Sequence, residues 1–134
     1  MKTDSFIWIQ VLPKEKISYS CPLAAWAKSN FPDLTIFDFD NYSEVFVVDQ
    51  AGPLMIESDR LAVLIQAEEG ALTGQVTRFL NRLSREPKGI PLIILEGRHA
   101  VIEKMIRVIA EGKFLDNPGT EEQKTAIREC FDEQ

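Results

Sequence analysis

The sequence predicts an α/β fold, a three-layer sandwich in which helices cover both faces of a mainly parallel or mixed sheet of about five strands. Short, nearly continuous apolar runs recur along the chain, as in strands that are buried on both faces. Segments with apolar residues three or four positions apart, as in amphipathic helices, lie between these runs. Length (134 residues) and hydrophobic content (45%) suit one globular domain, so we expect a single domain over residues 1–134.

The first half of the chain begins with a strand and a helix. Residues 6–12 are apolar, aromatic and β-branched, which predicts a strand in the interior of the sheet. Pro22 suits the first turn of a helix, and this helix is expected to end near Asn30 because Phe31 precedes a proline.

The next segments are shorter and allow more than one arrangement. Residues 34–39 and 44–49 predict two strands separated by turn-forming residues 40–43, so a hairpin would make the sheet mixed. Residues 51–59 fit either an edge strand or a single helical turn, and the pattern does not choose between them.

The second half alternates clearly between strands and helices. Residues 61–65 and 90–95 predict buried strands, and the second is followed by a helix expected to end near Gly112. Thr120 and Gln123 predict a capping box that opens a last helix, whose narrow apolar face suits the domain edge or a second subunit. The helix between the two strands is predicted by the spacing of Leu72, Val76, Phe79, Leu80 and Leu83.

Composition excludes several functional classes. No apolar run approaches the roughly 18 residues of a membrane span, and no signal-peptide pattern is present, so a cytoplasmic location is expected. The net charge of −6, with acidic ends, argues against nucleic acid or anionic lipid as a partner. Cys21 and Cys130 are far apart and lack metal-ligand spacing, which predicts free thiols.

Acidic side chains follow the predicted strands, and in a parallel sheet ligands bind at the carboxyl ends of the strands. Asp38, Asp40 and Asp49 are therefore candidate oxygen ligands for a Mg²⁺ ion. Asp49, Glu69 and Glu96 are also candidates for a catalytic or ligand-binding site. The alternative is that these acids are ordinary residues of solvated loops.

Two further residues are candidate catalytic groups. His99, the single histidine, follows a buried strand where a general base could stand, or it begins a helix and is hydrogen-bonded locally. Cys21 precedes the proline of a helix start, where the helix dipole would lower a thiol pKa. The other residues of a redox or phosphatase cysteine site are missing, so a plain helix-start cysteine is the alternative. Neither a dinucleotide nor a P-loop pattern is present, and no cofactor is predicted.

A basic stripe is predicted on one helix. Arg78, Arg82 and Arg85 recur with helical spacing, and Lys88 follows them. The stripe is complementary to the acidic ends of the chain, which favours docking of an acidic partner or self-association. A solvated helix face explains the same pattern.

Two short stretches resemble known families. Residues 17–20, Ile-Ser-Tyr-Ser, look like the opening strand motif of Toll/interleukin-receptor-like domains, in which an aspartate and a helix follow and a later glutamate serves NAD cleavage; here Cys-Pro follows. Residues 47–49, Val-Val-Asp, resemble the phospho-acceptor strand end of receiver domains. The acidic pair that receivers carry after the first strand is missing, and Leu95 and Glu96 stand where a lysine is expected. Neither activity is predicted for this chain.

Two functions follow from these observations. The first is a non-catalytic regulatory or protein-interaction module of the cytoplasm, because no catalytic constellation is complete and the basic stripe and last helix are free to dock. The second is a small enzyme or ligand-binding domain for a metal or phosphate ligand, which would use the acids at the strand ends.

Overall fold

A computed structural model of the chain describes residues 3–109 and 113–132. Strands and helices alternate along the described chain, except that two helices separate the second strand from the third. The strands are β1 (Asp4–Val11), β2 (Thr35–Asp40), β3 (Arg60–Ala67), β4 (Leu92–Gly97) and β5 (Phe114–Asp116). The helices are α1 (Pro22–Asn30), α2 (Val45–Asp49), α3 (Ala51–Glu57), α4 (Val76–Leu83), α5 (Ala100–Ile109) and α6 (Thr120–Phe131), and Lys14–Lys16 form a single 3₁₀ turn.

The five strands form one parallel sheet in the order β2-β1-β3-β4-β5. Successive residues of β1 contribute to opposite faces: Ile7 and Ile9 belong to one core, whereas Phe6 and Trp8 belong to the other. Residues of α1 and α6 complete the second core, and residues of α2 to α5 complete the first. The predicted α/β sandwich with helices on both faces is confirmed.

The strand predicted for residues 44–49, and with it the hairpin, is wrong. Residues 45–49, of which three are valines, form helix α2 after Glu44, and residues 51–57 form helix α3. The reason lies in the topology. Strand β2 is at the edge and pairs with β1, while β3 lies on the other side of β1 and runs parallel to it, so the chain must cross the sheet in between. Val48 and Met55 are buried against the sheet in this crossover.

The other differences concern the ends of elements. The predicted α4 begins at Val76 rather than near Leu72, which is 70% exposed in the preceding loop. Strand β5 has three residues and was not predicted. The predicted helix end near Gly112 lies outside the described residues.

Helix α6 begins at Thr120, one residue earlier than predicted, because Thr120 was expected to cap the helix, and the capping box does not form. Gly119 is the capping residue, and no side chain bonds to the free backbone amides of the first turn. The helix packs over β3 and β4 beside α1, with Ile127 and Phe131 fully buried, rather than at the edge of the domain. At 12 residues it is the longest helix in the described part of the chain, and none there is long and apolar enough to span a membrane.

Candidate functional site

The carboxyl ends of all five strands lie at one edge of the sheet, because every strand pair is parallel. The chain moves outward from β1 to β2 on one side of the sheet and from β3 to β4 and β5 on the other side, so the strand order switches direction between β1 and β3. Ligands of doubly wound folds bind at such a switch point. Here the loops that follow these two strands are joined to each other by an ion pair between Lys16 and Glu68 (2.5 Å). Buried Asn41 also links these loops, because its side-chain Nδ2 donates to the backbone oxygens of Leu12 (3.0 Å) and Leu72 (2.7 Å).

A pocket of about 300 Å³ opens beside this point, between the first turns of α1 and α6. Its floor is formed by β3 and β4, whose side chains alternate so that Leu64, Gln66 and Glu96 face α1 and α6. The volume is at the lower end of the range found for small-molecule sites. The walls are formed by Cys21, Pro22, Leu23, Trp26, Thr120, Gln123 and Lys124.

A chain of hydrogen-bonded side chains crosses the pocket floor. Trp8 Nε1 donates to Gln66 Oε1 (2.7 Å), and Gln66 Nε2 donates to Glu96 Oε1 (2.7 Å). On the other side of the carboxylate, Gln123 Nε2 donates to Glu96 Oε2 (2.9 Å). Both carboxylate oxygens are therefore held in place by neutral amide groups from β3 and α6, which orients Glu96 without neutralising its charge.

Trp26 forms an aromatic wall of the pocket. Two cations of α6 lie over its ring, with Lys124 Nζ at 5.5 Å and the guanidinium carbon of Arg128 at 5.0 Å from the ring centre. These distances are those of cation–π contacts. They bring a positive charge next to the pocket that holds the Glu96 carboxylate.

The structure brings two of the predicted catalytic candidates, Cys21 and Glu96, to this pocket. Burial raises the pKa of the Cys21 thiol, while the nearby amides of Leu23 and Ala24 act in the opposite direction and the charges of Glu96 and Asp38 reinforce the rise. The lowering expected from the helix start is thus outweighed. At Cys130, outside this pocket, burial raises the pKa to about 11. Both cysteines are free thiols.

His99 and Glu69 lie at the same edge of the sheet but serve the start of α5. The His99 Nε2–H group donates to the backbone oxygen of Ala71 (2.8 Å), and Nδ1 accepts from the backbone N–H of Ile102 (3.5 Å). His99 is 4% exposed. Both carboxylate oxygens of Glu69 accept from the backbone N–H of Ala100 (3.2 Å each). These contacts favour helix-start roles for both residues over general-base chemistry.

The three aspartates predicted as metal ligands do not come together. Phe39 faces the core under α2 to α5, so its strand neighbours Asp38 and Asp40 face the other side of the sheet. Asp49 ends helix α2, not a strand, and is paired with Arg78 (3.0 Å). Among the residues that the structure describes, no group of three or more Asp, Glu, His or Cys side chains is placed to hold a metal ion.

The predicted basic stripe lies on α4 and the turn after it, and three of its four cations have acidic partners within the chain. Arg78 pairs with Asp49, as described above. Arg82 makes two bonds to Glu86 (2.8 and 3.0 Å), and Lys88 lies 3.5 Å from Asp59. Arg85 is exposed. The stripe is therefore less positive than its sequence suggests.

Four pocket residues were missed by sequence reasoning: Gln66, Gln123, Trp26 and Lys124. Gln66 could have been identified from the sequence, because a glutamine inside an otherwise apolar buried strand needs a hydrogen-bond partner. The other three looked like ordinary helix residues, since their role depends on how α1 and α6 sit on the sheet.

Comparison with protein families, with curated proteins and with solved structures finds no match. The function of the chain has to follow from its own residues and their geometry.

Proposed function

We propose that this chain is a non-catalytic regulatory module that binds a small polar molecule in the pocket between α1 and α6. The observation that carries the proposal is the composition of that pocket. A carboxylate, an ammonium group and an indole ring converge on about 300 Å³ at the carboxyl edge of the sheet. A small concave site with a few oriented polar groups is the usual form of a ligand site.

The absence of catalysis is part of the proposal, and the state of the candidate groups supports it. The raised pKa of Cys21 keeps its thiol protonated at neutral pH, so it is a poor nucleophile. His99 uses both ring nitrogens to hold the start of α5. Glu96 is held by two amides, an arrangement suited to binding charge at a fixed position.

Blocking the mouth of the pocket tests the proposal. Thr120 is exposed at the pocket rim, so Thr120→Trp should fill the entrance and leave stability nearly unchanged. Thr125→Trp is the matched control, because Thr125 is exposed on the same helix outside the pocket. Saturation-transfer NMR against amino acids, amines, carboxylic acids, sugars and nucleosides at millimolar concentration should find binders.

Those binders should retain their affinity for Thr125→Trp and bind Thr120→Trp about tenfold more weakly, or worse, because the indole occupies their volume. Two results would contradict the proposal. One is that no compound of the five classes binds the unmodified chain. The other is that Thr120→Trp binds every hit as well as the control variant does.

A second candidate function is self-association through the basic stripe, and Arg85 favours it. This side chain is exposed, while Glu122 and Glu129 are exposed on α6, so the two surfaces of different copies are complementary. Arg85→Glu should shift a concentration-dependent dimer toward monomer in sedimentation velocity, with Lys104→Glu on α5 as the charge-matched control. Equal sedimentation of both variants and the unmodified chain at all concentrations would rule this function out.

We also propose that the module works in the cytoplasm and does not bind nucleic acid. The acidic net charge of −6 and the intrachain pairing of most of the basic stripe support the second point, because nucleic acid requires an uncompensated positive surface.

A further inference from the structure

Two opposite charges line the α1/α6 pocket without pairing with each other. Glu96 receives hydrogen bonds from Gln66 and Gln123, and no ion pair joins it to Lys124 or to any other cation in the described part of the chain. A carboxylate that is bonded only by neutral amides can gain a stronger, charge-assisted hydrogen bond from a positively charged ligand group. Each oxygen of Glu96 keeps a second lone pair for such a group.

The Lys124 ammonium group is also able to bind a ligand. Its only ion-pair contact among the described residues is a long one, 4.0 Å to Glu121, whose side chain is 86% exposed. An exposed pair at that distance contributes little, so the ammonium loses little by turning to a ligand. Its remaining contact, with the Trp26 ring, keeps the side chain against the pocket wall.

The remainder of the pocket is small and largely apolar. A volume of about 300 Å³ lies at the lower end of the range for small-molecule sites, so the pocket suits a ligand smaller than a typical drug. Pro22, Leu23 and Leu64 supply apolar contacts, and the Trp26 ring supplies a flat one.

We propose that the ligand is a small zwitterion of the α-amino-acid class, with its ammonium group on Glu96, its carboxylate on Lys124 and its side chain against Trp26. This inference rests on the function proposed above. A ligand with one charge would leave the other charged group of the pocket unmatched. A molecule carrying both charges within a few bonds satisfies both groups at once.

The first test uses the intact chain and the common L-amino acids, screened singly by isothermal titration calorimetry. For the tightest binder, two analogues with the same side chain are compared: the amine that lacks the carboxylate and the acid that lacks the ammonium group. Each analogue should bind about tenfold more weakly or worse, because each loses one charge-assisted contact.

Two substitutions assign the contacts. Glu96→Gln should weaken the amino acid and the amine by about tenfold and leave the weak binding of the acid unchanged. Lys124→Gln should weaken the amino acid and the acid by about tenfold and leave the weak binding of the amine unchanged. Glu122→Gln and Lys104→Gln, exposed and outside the pocket, are the charge-matched controls and should bind like the unmodified chain.

The outcomes separate this inference from the proposed function. If a singly charged or neutral compound binds as tightly as any amino acid and is lost with Thr120→Trp, the pocket is a ligand site and the zwitterion class is wrong. Amino acids that bind without responding to either charge substitution also overturn the class. If neither the amino acids nor the other compound classes bind, both proposals fall.

Discussion

Replacing Gly97 with alanine is expected to lower the free energy of unfolding by about 3 to 5 kcal/mol, the sum of backbone strain and forced displacement of a neighbouring strand. Gly97 ends β4 with φ +97°, a conformation that residues with a side chain rarely adopt. A Cβ atom there would lie 1.9 Å from the backbone oxygen of Ala67, the residue paired with it at the end of β3. The obstacle is backbone, so it cannot be relieved by a side-chain rotation.

Two other glycines separate the two causes in equilibrium unfolding by urea. Gly70 has φ +88° and no atom within 4 Å of an added Cβ, so Gly70→Ala measures strain alone and should cost about 1 kcal/mol. Gly89 has neither the unusual φ nor a close neighbour, and Gly89→Ala should be neutral or slightly stabilising. If Gly97→Ala cost no more than Gly70→Ala, the close approach of β3 and β4 at Gly97 would be refuted.

Removal of the Gln66 side-chain amide should also be severe. Gln66→Leu keeps the size of the side chain but leaves two groups without their hydrogen-bond partner. These are the indole N–H of Trp8, a residue that is 4% exposed, and one carboxylate oxygen of Glu96. A buried polar group left without its partner costs about 1 to 3 kcal/mol, so we expect a loss of about 2 to 4 kcal/mol in the free energy of unfolding.

A double-mutant cycle with Trp8→Phe assigns that loss. Phenylalanine has no N–H to strand, so Gln66→Leu should cost about 1 to 2 kcal/mol less in the Trp8→Phe background. Gln123→Leu is the matched single change, because it removes one donor from Glu96 and strands no indole N–H. Additive effects of the Trp8 and Gln66 substitutions would show that the bond between them does not contribute to stability.

Only part of the candidate site could be predicted from the sequence. Glu96 was selected because it follows an apolar strand, and Cys21 because it precedes a helix-starting proline, and both line the pocket. Asp49 was selected on the same reasoning and was misplaced, because the strand before it is in fact helix α2. Local patterns identify which residues follow a strand only when the strand itself is identified correctly.

The pocket network could not have been predicted, because its members are distant in sequence. Trp8 and Gln66 are 58 positions apart, Gln66 and Glu96 are 30 apart, and Glu96 and Gln123 are 27 apart. Their bonds require β1, β3 and β4 to be neighbours in the sheet and α6 to lie across β3 and β4. No periodicity within one segment reports on that arrangement.

Local information was sufficient for most helices and strands. Pro22 and the Phe31-Pro32 step set the limits of α1, and the apolar runs of β1, β3 and β4 predicted buried strands, because backbone sterics and side-chain periodicity act over a few residues. The tertiary structure decided the rest. Residues 45–49 have the β-branched composition of a strand and are helical, since the chain must cross β1 to reach β3. Tertiary packing there outweighs the local preference for a strand. The same strand order, with α6 packed across β3 and β4, brings Glu96 and Lys124 together at one edge of the sheet and so creates the pocket.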